Sequence, residues 1–190
     1  QVSFFERYGS AGFAALEEVL AAARAAELLV IADAKRGDIG TTMDAYARAW
    51  LTPGSPLEAD ALTVSPYLGV GSLSDTFAYA VAGGKGIFVL AATSNPEATV
   101  LQRAVPAGAA TLARSIVDDV SAWNRDATGE HLGSIGFVIG ATVDRHTAGL
   151  ADALSPAAPI LAPGFGAQGA RLSELAQLFG ADAPNVIASE

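Results

Sequence analysis

Short apolar runs alternate along this chain with longer segments in which apolar residues recur at helical spacing. Six runs predict strands, because each is apolar and ends in polar, glycine or proline residues. They span residues 28–34, 60–64, 86–92, 135–140, 160–162 and 186–188. Helical spacing predicts helices over residues 5–26, 42–51, 73–81, 107–126 and 147–154, with a further helix from 171 or 172. Strands that alternate with helices in this way form a parallel sheet in an α/β fold.

The alternation alone fits both a barrel and an open, doubly wound sheet. Polar, glycine and proline residues follow the strands, which is where a barrel builds its active site. No Gly-x-Gly-x-x-Gly motif of dinucleotide-binding sheets follows the first strand. We therefore predict one α/β domain over residues 1–190 with the fold of a TIM (β/α)8 barrel. Since only six strands are visible, we expect the first two strands and the end of the last unit to be lacking.

The composition is typical of a folded domain and argues against some classes of binding partner. Of the 190 residues, 51% are hydrophobic and 16% are charged, which is typical of a compact core rather than of a disordered chain. The formal net charge of -9 argues against a nucleic-acid surface. Cysteine is absent, which excludes disulfides and thiolate chemistry. Because neither a signal peptide nor a membrane-spanning apolar stretch is visible, we expect a cytoplasmic location and no membrane partner.

The run Asp33-Ala34-Lys35-Arg36-Gly37-Asp38 directly follows the first apolar stretch. Side chains alternate along a strand, so Asp33 and Lys35 should point to the same side, and a turn at Gly37 should bring Asp38 near them. Charges at the edge of a buried sheet interact more strongly than in water and can serve catalysis. The alternative is a surface turn with solvated charges. The residues before the run are apolar without alternation, which predicts a strand covered on both faces, and charge is scarce elsewhere in the chain. Both observations favour a catalytic cluster.

A second candidate site follows the fifth strand, in Pro163-Gly164-Phe165-Gly166-Ala167-Gln168-Gly169. Glycines let a backbone approach an anion closely, and exposed N–H groups of such a loop, or of the helix after it, bind phosphate. Gln168 adds a side-chain donor for phosphate or for another polar group of a ligand. The alternative is a tight turn that needs glycine for its geometry. Phosphate binding is favoured because barrels commonly form phosphate sites after their last two strands.

These residues together resemble a known family. The run from Asp33 to Asp38 is similar to the Asp-x-Lys-x-x-Asp signature of orotidine 5'-phosphate decarboxylases, and Pro163-Gly164-Phe165-Gly166 resembles their phosphate-binding loop. Residues 65–69 and 90–97 resemble the bacterial type II branch, and the resemblance covers essentially the whole chain. It implies a TIM-type barrel that acts as a homodimer with shared active sites. The implied reaction converts orotidine 5'-monophosphate to uridine 5'-monophosphate and CO2, in de novo pyrimidine biosynthesis, with no metal and no cofactor.

The resemblance also implies a role for each candidate residue. Asp33 would lie beside the departing carboxylate, Lys35 would protonate the carbon that loses CO2, and Asp38 would reach into the partner's site. The residues that would bind the substrate are Thr42 for the ribose, Ser94 or the adjacent Thr93 for the pyrimidine amide edge, and Gly164, Gly166 and Gln168 for the phosphate and the polar edge of the ligand. The family has a further Asp and Lys on its first two strands and a phosphate-binding Arg after its last strand, and we expect all three to lie outside this sequence.

Two other functions remain open from the sequence. Magnesium-dependent sugar-phosphate enzymes of the same superfamily, such as hexulose-phosphate synthase and keto-gulonate-phosphate decarboxylase, share the Asp-x-Lys-x-x-Asp pattern. A chain that lacks the remaining charged residues could instead be an inactive nucleotide-binding fragment. Dependence of turnover on magnesium identifies the first alternative, and nucleotide binding without turnover identifies the second.

Overall fold

The computed structural model describes residues 1–106, 110–128 and 131–189 of the chain. It contains two compact units, Gln1–Ile87 and Phe88–Glu190, and the boundary between the units falls inside the third strand. No helix among the described residues is both long and apolar enough to cross a membrane.

Strands and helices alternate through both units, as the apolar pattern predicts. The strands are β1 (Ile31–Arg36), β2 (Ala61–Val64), β3 (Gly86–Ala92), β4 (Ile135–Ile139), β5 (Ile160–Pro163) and β6 (Val186–Ser189). The α-helices are α1 (Ser3–Glu6), α2 (Gly9–Ala25), α3 (Gly40–Leu51), α4 (Ser74–Ala82), α5 (Ala98–Gln102), α6 (Leu112–Thr128) and α7 (Leu175–Phe179). Short 3-10 helices span Val70–Leu73, Gly166–Gln168, Leu172–Glu174 and Gly180–Asn185. The strand order is β1-β2-β3 in the first unit and β3-β4-β5-β6 in the second.

In the first unit, β1 lies parallel to β2 but carries a bulge. Ala32 pairs with Leu62, and the next pair is Arg36 with Val64. Three residues of β1, 33–35, therefore lie opposite a single residue of β2. Helix α3 packs against both strands because one of its faces is apolar at helical spacing. The buried residues of that face are Met43, Ala47, Trp50 and Leu51. The bulge matters for function because it contains the charged run.

In the second unit, β5 lies between β4 and β6, and both pairings are parallel. Every residue of β4 is buried, so the polar groups beside it must find partners inside the protein. The buried Asn124 of α6 donates to the carbonyl of Ile135 at 2.7 Å and accepts the N–H of Ile135 at 3.2 Å. Arg145 in turn donates to the Asp182 carboxylate at 2.6 Å and to the carbonyl of Phe179 at 3.0 Å. Buried polar side chains thus tie loops of this unit to its helices and strands.

The first predicted strand begins later than the apolar run suggests. Strand β1 starts at Ile31 and continues through the charged residues to Arg36, whereas the prediction was 28–34. Leu28 and Leu29 are 61% and 88% exposed, so the expectation that this run is covered on both faces is wrong at its start. The physical reason is that the N–H of Leu28 donates to the carbonyl of Ala23 at 3.0 Å, which closes the end of α2.

Two predicted helices also differ from the structure. Residues 147–149 form a turn and residues 150–154 are irregular, because Gly149 has a φ of +76° and the N–H of Leu150 returns to the carbonyl of Arg145 at 2.7 Å. The helix predicted over 5–26 is interrupted at Tyr8 and becomes α1 and α2. The helix predicted over 107–126 begins at residues that lie outside the described part of the chain, and α6 starts at Leu112.

Candidate active site

Asp33 and Lys35 lie two residues apart on β1, and their side chains meet as strand alternation predicts. Lys35 Nζ donates hydrogen bonds to both carboxylate oxygens of Asp33, each at 2.6 Å. The side chains of Lys35 and Asp33 are 44% and 30% exposed, so a ligand can reach the pair. Because a lysine ammonium has three N–H donors, this pairing leaves at least one donor for a further partner.

The backbone of Lys35 has an unusual conformation. Its φ is +50°, in the left-handed region that side-chain-bearing residues rarely adopt. Conformations of this kind collect at functional sites, where the surrounding structure holds them. Close beside it, a Cβ on Gly37 would lie 2.6 Å from the carbonyl oxygen of Ser65, so only glycine fits there. The ends of β1 and β2 are therefore packed tightly around this backbone.

Thr63 of β2 is fully buried and contacts both members of the pair. Its hydroxyl donates to Asp33 Oδ1 at 2.9 Å and accepts the backbone N–H of Lys35 at 2.9 Å. Thr63 was not among the site residues predicted from the sequence. The available signal was a lone hydroxyl in the apolar strand Ala61–Val64, because a buried polar group needs a partner.

Arg36 points away from the Asp33–Lys35 pair and has a structural role. Its guanidinium forms an ion pair with Glu6 and lies over the rings of Tyr46 and Trp50, at 5.4 and 5.9 Å from the ring centroids. Arginine over aromatic faces gains cation–π attraction and packs its alkyl chain. Strand β1 therefore uses its two faces differently. The Asp33–Lys35 pair lies on one face, and Arg36 packs on the other.

Asp38 and Thr42 lie beyond β1, in the connection to α3 and in its first turn. Asp38 is half-buried, and its Oδ1 accepts the N–H of Ile39 at 2.8 Å, at the start of the helix. Thr42 is exposed. Within the described chain, the ion pair of Lys35 is with Asp33, and Asp38 forms none with it. The structure thus brings together two of the three charged residues that the sequence grouped.

In the second unit, the loop after β3 presents Ser94 and holds Thr93. The Ser94 hydroxyl is exposed and donates to Gln168 Oε1 at 3.5 Å. Thr93 is held by Gln102 of α5, which accepts the Thr93 N–H at 2.9 Å and donates to the Thr93 hydroxyl at 3.0 Å. The Thr93 hydroxyl also donates to Asn95 at 2.7 Å. Of the two alternatives left by the sequence, Ser94 is the one that lies against Gln168.

The glycine-rich loop after β5 has a defined shape. Gly164 and Gly166 have φ values of +121° and +70°, which glycine adopts without strain. Between them, the Phe165 side chain is buried and anchors the loop. The N–H of Gly166 donates to the carbonyl of Ala170 at 2.9 Å, and the N–H of Ala170 donates to the carbonyl of Gly164 at 3.1 Å. The loop is closed by its own hydrogen bonds, and the Gln168 side chain stays exposed.

A second group of charges lies at the opposite ends of the strands in the first unit. Lys85, which directly precedes β3, donates to Glu58 at 2.8 Å and approaches Asp60, before β2, at 3.5 Å. The Lys85 and Glu58 side chains are only 10% and 15% exposed. The hydrogen bond from Lys85, followed by one from the N–H of Gly54, lowers the pKa of Glu58 below its usual value. Charges at the amino ends of parallel barrel strands serve stability rather than chemistry.

The fold and the site together define the class of protein. Parallel strands alternate with helices, and the acid–lysine pair and the glycine loop lie at the carboxyl ends of two strands, as in α/β barrel proteins. A sequence model of the Orotidine 5'-phosphate decarboxylase / HUMPS family matches residues 1–186. The chain belongs to this family.

Individual relatives agree with this assignment. The chain is 50% identical over 187 residues to the orotidine 5'-phosphate decarboxylase of Salinispora arenicola, covering 98% of this chain and 66% of the relative. It is 50% identical over 183 residues to the enzyme of the same name from Corynebacterium efficiens, covering 95% of this chain and 63% of the relative. The chain thus spans about two thirds of the length of these curated relatives.

Solved structures confirm the predicted fold class. A crystal structure from Streptomyces avermitilis, assigned as an orotidine 5'-phosphate decarboxylase, has a TM-score of 0.90 and 50% identity, covering 98% of this chain and 64% of that one. The UMP synthase of Leishmania donovani has a TM-score of 0.77 and 34% identity, covering 98% of this chain and 39% of that one. The described part of the present chain contributes six strands of this α/β barrel fold.

Proposed function

We propose that the protein acts as an orotidine 5'-phosphate decarboxylase, which forms uridine 5'-monophosphate and CO2 in pyrimidine biosynthesis. The observation that carries the proposal is the Asp33–Lys35 pair, with both hydrogen bonds at 2.6 Å, in a chain of the matching family. The proposal includes carboxy-lyase chemistry without a cofactor and a cytoplasmic location, since the substrate and products are soluble small molecules.

Lys35 has the chemical properties that the reaction needs. The C–C bond to the carboxylate breaks, CO2 leaves, and the electron pair stays on the ring carbon. Because that carbanion has little resonance stabilisation, a fixed positive charge beside it lowers the barrier. Lys35 supplies this charge and then transfers a proton from Nζ to the carbon as a general acid. Asp33 holds the ammonium through both of its oxygens, which leaves at least one N–H donor for the substrate.

Asp33 has a second proposed role, beside the substrate carboxylate. Two carboxylates held close together repel each other, and loss of CO2 relieves that repulsion. The Thr63 hydroxyl and the Lys35 ammonium both donate to Asp33, which keeps its oxygens as acceptors in a fixed orientation. These two donors oppose rotation of the Asp33 carboxylate away from a bound substrate.

Asp38 and Thr42 are proposed to complete the active site of a second copy in a homodimer. Both residues lie near the start of α3, and Thr42 is exposed. Among the described residues, Asp38 accepts the N–H of Ile39 through Oδ1, which leaves its second carboxylate oxygen for a partner. In this assignment Asp38 approaches the lysine of the other subunit and Thr42 contacts the ribose.

Ser94, Gly164, Gly166 and Gln168 are proposed to bind the nucleotide. A hydroxyl and a carboxamide together offer donors and acceptors that match the O=C–N–H edge of a pyrimidine, and those of Ser94 and Gln168 meet at 3.5 Å. Gly164 and Gly166 both have positive φ values, and the exposed Gly166 leaves the loop surface free of a side chain where a phosphate would approach. Since the Gly166 N–H is bonded within the loop, Gln168 is the donor best available to the ligand.

A magnesium-dependent sugar-phosphate reaction is the second candidate, because the matching family model spans both kinds of enzyme. These enzymes share the acid–lysine signature but stabilise an enediolate with the metal. The two candidates differ in substrate and in their response to a chelator, so one assay separates them.

The test follows the loss of orotidine 5'-monophosphate absorbance with EDTA and, separately, with added magnesium. We expect turnover that EDTA leaves unchanged and a decrease of about a thousandfold or more in Lys35→Ala, since that variant loses both charge stabilisation and the proton donor. Arg114→Ala is the matched control, because Arg114 is also a cation paired with an acid, Asp118, but lies on α6.

Near-normal turnover in Lys35→Ala contradicts the assignment. Turnover of a sugar phosphate that requires magnesium supports the second candidate. Binding of uridine 5'-monophosphate by the wild-type protein without any decarboxylation identifies a nucleotide-binding protein that is not an enzyme.

A further inference from the structure

We infer that Thr63 is a positioning residue that holds both the side chain of Asp33 and the backbone of Lys35 in their reactive arrangement. Its two hydrogen bonds, each 2.9 Å long, join the second strand of the first unit to both members of the pair. This inference rests on the proposed function, because it concerns the geometry of the proposed catalytic pair.

The donors and acceptors around Thr63 have only one consistent arrangement. A threonine hydroxyl has one proton and two lone pairs. The backbone N–H of Lys35 can only donate, so it binds a lone pair of the Thr63 oxygen. The hydroxyl proton is then free to go to Asp33 Oδ1, which must be an acceptor. One hydroxyl thus satisfies a buried N–H and at the same time orients a carboxylate.

The backbone conformation of Lys35 depends on this hydroxyl. In a regular parallel pair, the N–H of a strand residue donates to a carbonyl of the neighbouring strand. Lys35 has a φ of +50° inside the bulge of β1, and its N–H donates to a side chain of β2. The Thr63 oxygen takes the place of the missing carbonyl, which lets the strand keep a conformation that costs about 1–2 kcal/mol in an L-residue.

Water cannot easily replace the hydroxyl. Thr63 is 0% exposed, as are its strand neighbours Leu62 and Val64. Valine has nearly the shape of threonine but no polar atom, so Thr63→Val removes both hydrogen bonds while keeping the packing. The substitution leaves the Lys35 N–H without an acceptor and Asp33 without one of its two side-chain donors. A buried polar group without a partner destabilises the folded state.

The kinetic experiment compares Thr63→Val, Thr63→Ser and a matched control, Thr76→Val, with the wild-type protein. Thr76 is a buried threonine of α4 in the same unit. We expect kcat for decarboxylation to fall at least about tenfold in Thr63→Val with KM changed less than about threefold, because the lost contacts act on the reacting pair. Thr63→Ser, which keeps the hydroxyl, should retain most of kcat, and Thr76→Val should match the wild type.

Amide hydrogen exchange supplies a readout that does not depend on activity. In Thr63→Val, the Lys35 N–H should exchange faster than in wild type by a factor of about ten or more, while amides of β3 keep their rates. Thr63→Ser should leave the Lys35 rate near the wild-type value. If Thr63→Val does not fold, Thr63→Cys replaces it, because a thiol of similar size is a weak donor and acceptor.

The outcomes separate this inference from the proposed function. A folded Thr63→Val with wild-type kcat, or with an unchanged Lys35 exchange rate, overturns the positioning role. Equal losses in Thr63→Val and Thr76→Val also overturn it, because a general packing defect then explains both. A wild-type protein that does not decarboxylate orotidine 5'-monophosphate overturns the proposed function, and the Lys35 exchange rate still decides whether Thr63 holds that backbone.

Discussion

Lys35 combines a reactive side chain with a backbone conformation that its residue type disfavours. The period-two alternation of a strand was enough to predict that Asp33 and Lys35 share a face. The left-handed φ of +50° was not predictable, because it depends on partners far along the chain. Thr63 lies 30 residues from Asp33 and 28 from Lys35, and nothing in the local sequence indicates that pairing. The sequence therefore predicts which residues form the charged pair, but not which residue holds that pair in place.

Gly37 is the residue at which this geometry is most easily broken. In Gly37→Ala, the new Cβ would lie 2.6 Å from the Ser65 carbonyl oxygen and 3.2 Å from the Ser65 Cβ, so the ends of β1 and β2 must separate. We expect a loss of about 1–3 kcal/mol in the free energy of unfolding, as for an overpacked core site. Urea denaturation measures this loss, and kcat should fall because Lys35 lies two residues away.

Gly71→Ala is the control for that substitution. Gly71 lies in the 3-10 turn before α4, where a Cβ meets nothing within 4 Å. It should change the free energy of unfolding by less than about 0.5 kcal/mol. If Gly37→Ala is as stable and as active as Gly71→Ala, the close approach of the two strand ends has no energetic consequence.

At the scale of elements, regular strands and helices were predictable and their irregular ends were not. The apolar run of β3 matches its observed bounds, Gly86–Ala92, because every residue of that run belongs to one buried strand. The run before β1 mixes the end of α2 with the start of a strand, and periodicity does not separate the two. The helix predicted over 147–154 fails for a similar reason, since the left-handed Gly149 and the return of Leu150 to Arg145 outweigh a short periodic signal.

Helix α5 was not predicted at all, yet it positions the loop after β3 through one side chain. Gln102, the last residue of α5, holds both the N–H and the hydroxyl of Thr93, beside Ser94. In Gln102→Ala, we expect KM for the proposed substrate, orotidine 5'-monophosphate, to rise about three- to tenfold, because one or two hydrogen bonds that hold the loop are lost. The value of kcat should change less, since the hydrogen bonds of Gln102 go to Thr93, in the loop that is proposed to bind the substrate.

Steady-state kinetics with Gln102→Ala and Val100→Ala measure this effect. Val100 lies on the same helix and is 84% exposed, so its truncation should leave both constants unchanged. A KM in Gln102→Ala that equals that of the Val100→Ala control means that the loop holds Ser94 without this side chain.

At the scale of the whole molecule, the alternation of strands and helices was sufficient to predict the α/β barrel class. The prediction depended on a pattern repeated along the chain, so errors at single boundaries did not affect it. The prediction of one domain over residues 1–190 stays a prediction. The chain forms two compact units, Gln1–Ile87 and Phe88–Glu190. The buried charges of the first unit could not be predicted, because Glu58 and Lys85 lie 27 residues apart in the sequence.

The Glu58–Lys85 ion pair predicts how stability depends on pH. The hydrogen bond from Lys85 lowers the pKa of Glu58 in the folded protein below its usual value of 4.5. A carboxyl whose pKa is lower in the folded state stabilises the fold fully above its unfolded pKa, and this contribution is lost as pH falls through the folded pKa. At pH 7, Glu58→Gln should therefore lower the free energy of unfolding by about 1–2 kcal/mol, between the values for surface and buried ion pairs.

The same reasoning sets the pH at which the difference between wild type and variant disappears. Above pH 4.5 the difference in the free energy of unfolding should be constant, and below that value it should shrink, because wild-type Glu58 becomes protonated and resembles glutamine. Thermal unfolding from pH 7 to pH 3 measures this difference, with about 2–4 °C in Tm expected per kcal/mol for a chain of this size. Glu17→Gln, at an exposed position on α2, should show no difference at any pH. A Tm difference for Glu58→Gln that stays constant down to pH 3 shows that packing of the side chain, rather than its charge, stabilises the amino ends of the strands.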